Sequence, residues 1–431
     1  MHTTIKNLST SVGQEVTLSG WLGNIRSSGS IAFLELRDGT GFVQAVAAKN
    51  AVDENTWKAI ESLTLESSLH ITGTVSKHPK QEGVFEIQAK TVEVVQVAGE
   101  YPIAKKEHGP DFLLEHRHLW LRSRRQWAIL RVRDCVETAI NEYLHMEQFV
   151  RLDSPIFTPN ACEGTTTLFP VEYFDEGKAY LSQSGQLYIE AAIASVGKCY
   201  DFGPVFRAEK SVTKRHLTEF WMMDAEAAFA DHEQNLKTQE GLVKHIIKKC
   251  LAECQEELKV LERDTAKLQA VVDKPFTRYT YDEAIVKLNQ MGSDIKHGED
   301  LGNDDEGLLT KDSEVPVFIE KWPKTIKPFY MKIDPTNENR VFNDDLIATE
   351  GAGEIIGGSQ REDNYDLLLE RIRAEGLPEK EYEWYLDLRK YGAVPHAGFG
   401  MGVERMVRWV SGVEHIRECI PFPRLVNRLR P

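Results

Sequence analysis

The chain has no Gly-x-x-x-x-Gly-Lys-Ser/Thr sequence, so a triphosphate cradled by the backbone of a phosphate loop is excluded. Gly398-Phe399-Gly400 is followed by an acid and an arginine in place of a closing glycine, so it is no dinucleotide fingerprint. Among Cys135, Cys162, Cys199, Cys250, Cys254 and Cys419 there is no Cys-x-x-Cys pair, and none stands at zinc spacing from histidines. Zinc ribbons and dithiol redox motifs are thereby removed, and reduced, buried thiols are expected. No apolar run approaches the ~20 residues that span a bilayer, and Met1-His2-Thr3-Thr4-Ile5-Lys6 does not begin like a signal peptide. Internal repeats and low-complexity tracts are absent too. Positive charge is also short, with 52 Lys and Arg against 67 Asp and Glu for a net −15. That balance argues against indiscriminate nucleic-acid binding while permitting a local basic track. The expectation is a cytoplasmic protein with no membrane contact.

What is present is a chain of 431 residues, 41% of them hydrophobic, enough for two or three domains with sizeable cores. Val16–Leu22, Ile31–Leu36 and Phe42–Val46 alternate as strands, with Asp38-Gly39-Thr40-Gly41 as a tight turn, and Val84–Ile87 and Val92–Val97 continue the pattern. Short strands at this density predict a small closed barrel of the OB type over residues 1–100. A hinge over 101–118 follows, with Pro102, two lysines and Gly109-Pro110. The remainder, 119–431, reads as α+β: a helix over Gln126–Met146, a strand over Val150–Phe157 carrying Pro155, and strands dominating to Phe229. A helical insertion is expected at about 230–315, irregular over 290–312, before strands return beyond Pro316. Arg117, Arg122, Arg124, Arg125, Arg131 and Arg133 lie close together, as either a basic track or a salt-bridged helix face.

Two distant segments carry the chemistry. The first is Phe206-Arg207-Ala208-Glu209 with Arg215-His216-Leu217 and Glu219-Phe220; the second is Gly400-Met401-Gly402-Val403-Glu404-Arg405. Arginine suits phosphate because its planar fork makes paired charge-assisted hydrogen bonds and stays ionised. A lone Arg-x-Glu would read as a surface ion pair, but this ordered set with an aromatic plate suits a nucleotide triphosphate.

These segments resemble motifs 2 and 3 of the class II aminoacyl-tRNA synthetases, aspartate/asparagine subgroup, and the stretch ending at Pro155 resembles motif 1. The resemblance covers nearly the whole chain. It implies an antiparallel catalytic sheet flanked by helices, a homodimer formed through the Pro155 region, and an anticodon-binding barrel. It also implies that Arg207 grips the α-phosphate of ATP and that Phe220 and Arg405 sandwich the adenine. Arg215, His216 and Arg405 would hold the β- and γ-phosphates; Glu209 would meet the base, and Gly402 would belong to the nucleotide site. Arg207, Arg405 and Glu354 form the implied catalytic set. Glu354 stands at the family's magnesium carboxylate, with Asp345 as second ligand, although its spacing to Glu354 is long and Gly357 replaces a serine common in aspartate enzymes.

In the amino-acid pocket the resemblance implies Arg361 for the substrate side chain, Asp224 and Glu163 for the α-ammonium, and Gln186 beside them. Aspartate enzymes read Gln-Ser-Pro-Gln-x-x-Lys; here Gln183-Ser184-Gly185-Gln186-Leu187-Tyr188-Ile189 lacks the lysine, and Glu190 follows. A side-chain amide needs one donor and one acceptor, which Arg361 and Glu190 would supply, so L-asparagine and tRNA(Asn) are the expected partners. In the barrel, Phe33, Glu35 and Arg37 would share an outer face while Leu34 and Leu36 point inward. Phe33 would stack on an anticodon base, Gln44 read an edge and Arg26 meet phosphate. The rivals left open are an aspartate enzyme, including one that charges both cognate tRNAs, a tRNA-independent asparagine synthetase on the same fold, and a catalytically dead RNA-binding or regulatory relative.

Overall fold

The structure, a computed structural model, describes residues 1–103, 106–163 and 167–431. Lys105 of the hinge and Gly164, which follows Glu163, lie outside the described residues. The chain divides into two compact units, Met1–Leu113 and Leu114–Pro431.

In the first unit, β1 (Glu15–Ser28), β2 (Ile31–Arg37), β3 (Phe42–Ala48), α1 (Glu54–Ser62), β4 (Ser68–Lys77) and β5 (Phe85–Gln96) follow in order, and the strands close a barrel as β1-β2-β3-β5-β4. The period-two pattern decides which side chains enter. Leu34, Leu36, Val43 and Ala45 are buried in the barrel core, while Phe33 and Gln44 between them are half-buried outside. Strand β4 escaped the sequence reading because Ser, Thr and Gly dilute its alternation. Gly73 is needed there, since a Cβ would stand 2.3 Å from the Gln88 carbonyl oxygen across the ladder. Arg37 also departs from expectation. It is 7% exposed, bonded to both carboxylate oxygens of Glu66 at 2.8 and 3.1 Å, and its guanidinium lies 5.7 Å from the Trp21 ring centre.

The second unit contains α2 (Arg124–Met146), β6 (Val150–Arg151), α3 (Gln186–Val196), β7 (Lys198–Phe206), β8 (Glu219–Ala228), α4 (His232–Glu253), β9 (Thr277–Thr280), β10 (Val317–Glu320), β11 (Asn343–Ala348), β12 (Gly353–Gln360), β13 (His396–Gly402) and α5 (Val403–Ser411), among others. Eight strands form one sheet in the order β9-β10-β11-β12-β13-β8-β7-β6. The inner pairings are antiparallel and the two edge pairings, β9 with β10 and β6 with β7, are parallel. Helices α2, α4 and α5 share one apolar core with it through Val136, Ile140, Ile246, Met401, Met406 and Val410.

Three expectations are corrected or completed here. The strand over Val150–Phe157 is broken: β6 ends at Arg151, and Phe157–Thr158 pairs instead with Lys178–Leu181 in a separate small sheet. Pro155 stands in the gap, having no N–H to give a ladder. The region to Phe229 is not strands throughout, because Gln186–Val196 is a helix closed by Gly197 at φ +80°; a short apolar run of Leu, Tyr, Ile, Ala and Val does not distinguish the two by period. The stretch 290–312 contains a helix, Asn303–Thr310, whose Asp305 accepts from Gly302 N at 3.2 Å and Ser293 Oγ at 2.6 Å.

The arginine cluster is neither a free basic track nor wholly internal: Arg117 and Arg133 are buried, Arg122 and Arg131 half-buried, and Arg124 and Arg125 exposed. Arg117 bonds the carbonyls of Ile420 and Pro421, and Arg125, Arg131 and Arg133 pair with Glu418, Glu257 and Glu404. All six cysteines are buried thiols. Among the described residues no helix is long and apolar enough to cross a membrane.

Candidate active site

Strands β7 and β8 form a hairpin whose 207–218 connection carries Arg207, Glu209, Arg215 and His216 to one end of the sheet. Beside β8 lies β13, then β12, then β11, so a row of paired residues runs Asp201–Asp224–Gly400–Gly357–Asp345 across the sheet. The glycines leave space that the acids fill. A Cβ at Gly400 would stand 2.5 Å from Asp224 Oδ1, and one at Gly398 would stand 2.0 Å from Glu226 Oε2.

Over this floor opens a cavity of about 270 Å³. Its walls include Glu163, Gln186, Arg207, Glu209, Arg215, His216, Phe220, Asp224, Asp345, Glu354, Arg361, Gly402 and Arg405; thirteen residues singled out from the sequence thus converge on one space. Glu190 is not among them.

At one end, the Arg207 guanidinium lies 5.3 Å from the Phe220 ring centre and 2.5 Å from Glu163 Oε2. Its Nε is buried with no partner among the described residues, which is uncommon for a buried donor. Burial would lower the Arg207 pKa, but Glu163, Glu209, Glu354 and Asp224 outweigh it and leave the group above its ordinary value. His216 goes the other way: burial first, then Arg405, push its pKa below the usual histidine range. Arg405 donates to the Glu354 carbonyl at 2.8 Å and lies 3.5 Å from its carboxylate. Its neighbour Glu404 is structural, accepting from Arg133 at 2.7 Å and from Trp221 N at 3.0 Å.

At the other end the side chains are desolvated. Arg361, 3% exposed, is clasped by Glu226 through contacts of 2.9, 3.1 and 3.2 Å and donates to Ser359 Oγ at 2.6 Å. Behind it Glu190 accepts from Arg389 at 2.8 Å, Tyr385 at 2.7 Å and Gln186 at 3.0 Å, with His396 Nε2 at 3.1 Å. Burial would raise the Glu190 pKa, but Arg389, His396 and Arg361 hold it well below the carboxylate range. Glu190 and Arg361 approach only to 4.0 Å, so the acceptor beside Arg361 is Glu226, which the sequence reading passed over. Its signal was present: two residues from Asp224 in β8, it shares that residue's face. Asp224 accepts from Ser184 Oγ at 2.8 Å and Gly185 N at 2.9 Å, and burial raises its pKa to about 6.

Glu354 and Asp345 face each other across Gly357, where a Cβ would meet Glu354 Oε1 at 3.2 Å and Asp345 Oδ1 at 3.9 Å. Lys327 Nζ lies 2.6 Å from the other oxygen of Asp345. No group of three or more His, Cys, Asp or Glu suited to a metal occurs among the described residues. Two hard carboxylates without a full protein cage fit magnesium, which keeps waters and takes phosphate oxygens.

In the barrel unit, Arg26 faces Phe33 across the β1–β2 ladder, Phe33 faces Val46, and Glu35 faces Gln44 across β2–β3. Gln44 Nε2 donates to Glu86 Oε1 at 2.6 Å. An aromatic, an amide, acids and an exposed arginine therefore share the barrel's outer face.

Comparison with known proteins matches residues 109–426 to the family model "tRNA synthetases class II (D, K and N)" and residues 16–95 to "OB-fold nucleic acid binding domain". The chain is similar to the asparaginyl-tRNA synthetase of Pyrococcus horikoshii complexed with asparaginyl-adenylate, at 43% identity and TM-score 0.95, covering 100% of this chain and 99% of that one. It is also similar to the Entamoeba histolytica asparaginyl-tRNA synthetase in complex with asparaginyl-adenylate, at 32% identity and TM-score 0.89, with both chains covered completely. The aspartyl-tRNA synthetase of Entamoeba histolytica follows at 27% identity and TM-score 0.84, covering 100% of this chain and 93% of that one.

Proposed function

Because the chain belongs to the class II tRNA synthetases of the D, K and N group, we propose that it joins L-asparagine to tRNA(Asn) through an asparaginyl-adenylate made from ATP. The observation that carries the choice of asparagine is charge balance. Arg361 and Arg389 are matched by Glu226 and Glu190, all four at most 7% exposed. A neutral amide enters such a site without adding charge, its oxygen on Arg361 and its NH2 on Glu226. An aspartate side chain would bring an uncompensated buried negative charge against Glu226. Ile189, 1% exposed among apolar neighbours, offers no second cation.

Asp224, Gln186 and Glu163 surround the α-ammonium. The substrate carboxylate, already ionised, forms a bond to the ATP α-phosphorus as the bond to the β-phosphate oxygen breaks and pyrophosphate leaves. No side-chain base is needed. Arg207 meets the charge that builds on the α-phosphate, and Phe220 with Arg405 holds the adenine, so positioning and preorganised charge do the work. Glu354 and Asp345 would hold magnesium, which neutralises phosphate charge when bound. In the second step the 3′-hydroxyl of the terminal adenosine attacks the activated carbonyl and AMP departs. Phe33, Gln44 and Arg26 receive the anticodon on the barrel, where base stacking contributes about 1–3 kcal/mol per base. A homodimer through the Pro155 region is supported by Val150, Ile156 and Phe157, 41–49% exposed on that segment.

The test is transfer of labelled asparagine to tRNA in the presence of ATP. An ester on tRNA(Asn), with AMP released in equal amount, is expected. Transfer of aspartate to the same tRNA instead would overturn the asparagine assignment.

A further inference from the structure

Glu306, on the helix Asn303–Thr310, belongs to none of the groups assigned above. Its Oε2 lies 2.5 Å from Arg215 Nη1 and accepts the Glu354 backbone N–H at 3.2 Å. One carboxylate oxygen thus takes an arginine and a main-chain N–H together, the donor pair that an incoming phosphate oxygen would use. The side chains of Arg215 and Glu306 are 10% and 13% exposed. The chain makes room for this arrangement: a Cβ at Gly353 would fall 1.3 Å from Arg215 Nη1 and 2.6 Å from Glu306 Oε2. Asp305 and Ser293 fix the start of the helix through their own hydrogen bonds, so Glu306 is presented from an anchored element. A second cavity of about 330 Å³ opens at the same place, lined by Arg215, His216, Asn303, Glu306, Lys327 and Arg405 among others.

Resting on the proposed role of Arg215 at the triphosphate tail, we infer that Glu306 is an internal stand-in for the terminal phosphate of ATP. It holds Arg215 before the nucleotide arrives, is displaced when the β- and γ-phosphates bind, and reclaims Arg215 as pyrophosphate leaves toward the second cavity. Every ATP molecule must break this ion pair, so its apparent affinity is lowered by the fraction of enzyme in which the pair is closed. AMP has no terminal phosphates and escapes that competition.

The experiment compares the wild-type protein with Glu306→Gln and Glu306→Asp, using calorimetric binding of ATP with magnesium and of AMP, without amino acid. Glutamine keeps an acceptor for Glu354 N–H but loses the charge on Arg215. The expected result is ATP binding about three- to tenfold tighter in Glu306→Gln, unchanged AMP binding, and wild-type behaviour in Glu306→Asp. Weaker or unchanged ATP binding, or an equal shift for AMP, overturns the inference. A melting temperature matching wild type excludes misfolding as the cause. Wild-type protein that binds ATP yet activates no asparagine would instead sink the functional reading and leave this contact standing.

Discussion

In the barrel, the residues proposed to meet RNA stand outside an apolar core: Phe33 and Gln44 are half-buried and Arg26 is exposed. In the catalytic unit, Asp224, Glu226 and Arg361 are at most 4% exposed. The two placements fit two recognition problems. A splayed base offers a large flat face, so a half-buried aromatic on the outer face would read it at little cost to the fold. Asparagine and aspartate differ by one polar group, and telling them apart requires desolvated charge with every partner supplied. On the proposed roles, the barrel should lose its recognition residues and stay folded, while the pocket should link recognition to stability.

That contrast is open to attack in four places, beginning with the largest effect. Arg207→Ala should lower the rate of adenylate formation by at least about 10²–10³-fold with the fold intact by circular dichroism; retained pyrophosphate exchange would remove Arg207 from the site. Next, Glu190→Ala strands Arg389, Tyr385 and His396, and should destabilise the catalytic unit by about 3–5 kcal/mol in denaturant titration. A near-neutral result would mean that the charge cluster does not hold the pocket together. On the barrel side, Phe33→Ala should raise KM for tRNA by about 5- to 150-fold, from the free energy of one stack, while sparing exchange without tRNA and leaving the melting temperature unchanged. Equal damage to both steps would erase the difference between the units.

The smallest effect concerns Asp201, which lies behind Asp224 with Oδ1 3.4 Å from Asp224 N. Burial, then Asp224, raise the Asp201 pKa to about 7, and Asp224 itself is raised to about 6. Both folded values exceed the ordinary aspartate value, so between about pH 4 and 7 the folded state holds more protons than the unfolded one. Stability contributed by this pair is thus present at low pH and lost as pH rises through that window. The melting temperature of the catalytic unit should fall between pH 5 and 7.5, and Asp201→Asn should flatten the fall by about 2–4 °C. An identical pH slope in the variant would contradict the assignment.

What the sequence made legible follows the same division. Alternation revealed β2 and β3 because each has a dry face and a wet one, whereas β4 hid behind its small polar residues. Broken strands and the helix α3 were opaque, since Pro155 and an apolar run acquire meaning only from the neighbours they find. In the pocket, motif order picked out Arg207, Phe220, Glu354, Arg361 and Arg405, and these line one cavity. Motif order could not tell which of two glutamates faces Arg361. Glu190 and Glu226 come from different elements, and the ladder that sets Glu226 opposite Gly398 is a long-range fact. Glu306 was invisible for the same reason, because its partner Arg215 lies 91 residues away.

The central claim, a charge-balanced pocket selecting a neutral side chain, is tested most directly by amino-acid-dependent exchange of labelled pyrophosphate into ATP without tRNA, run in parallel with asparagine and aspartate. Exchange with asparagine and none with aspartate is the predicted result. Exchange driven by aspartate would contradict it and turn the pocket over to the acidic substrate.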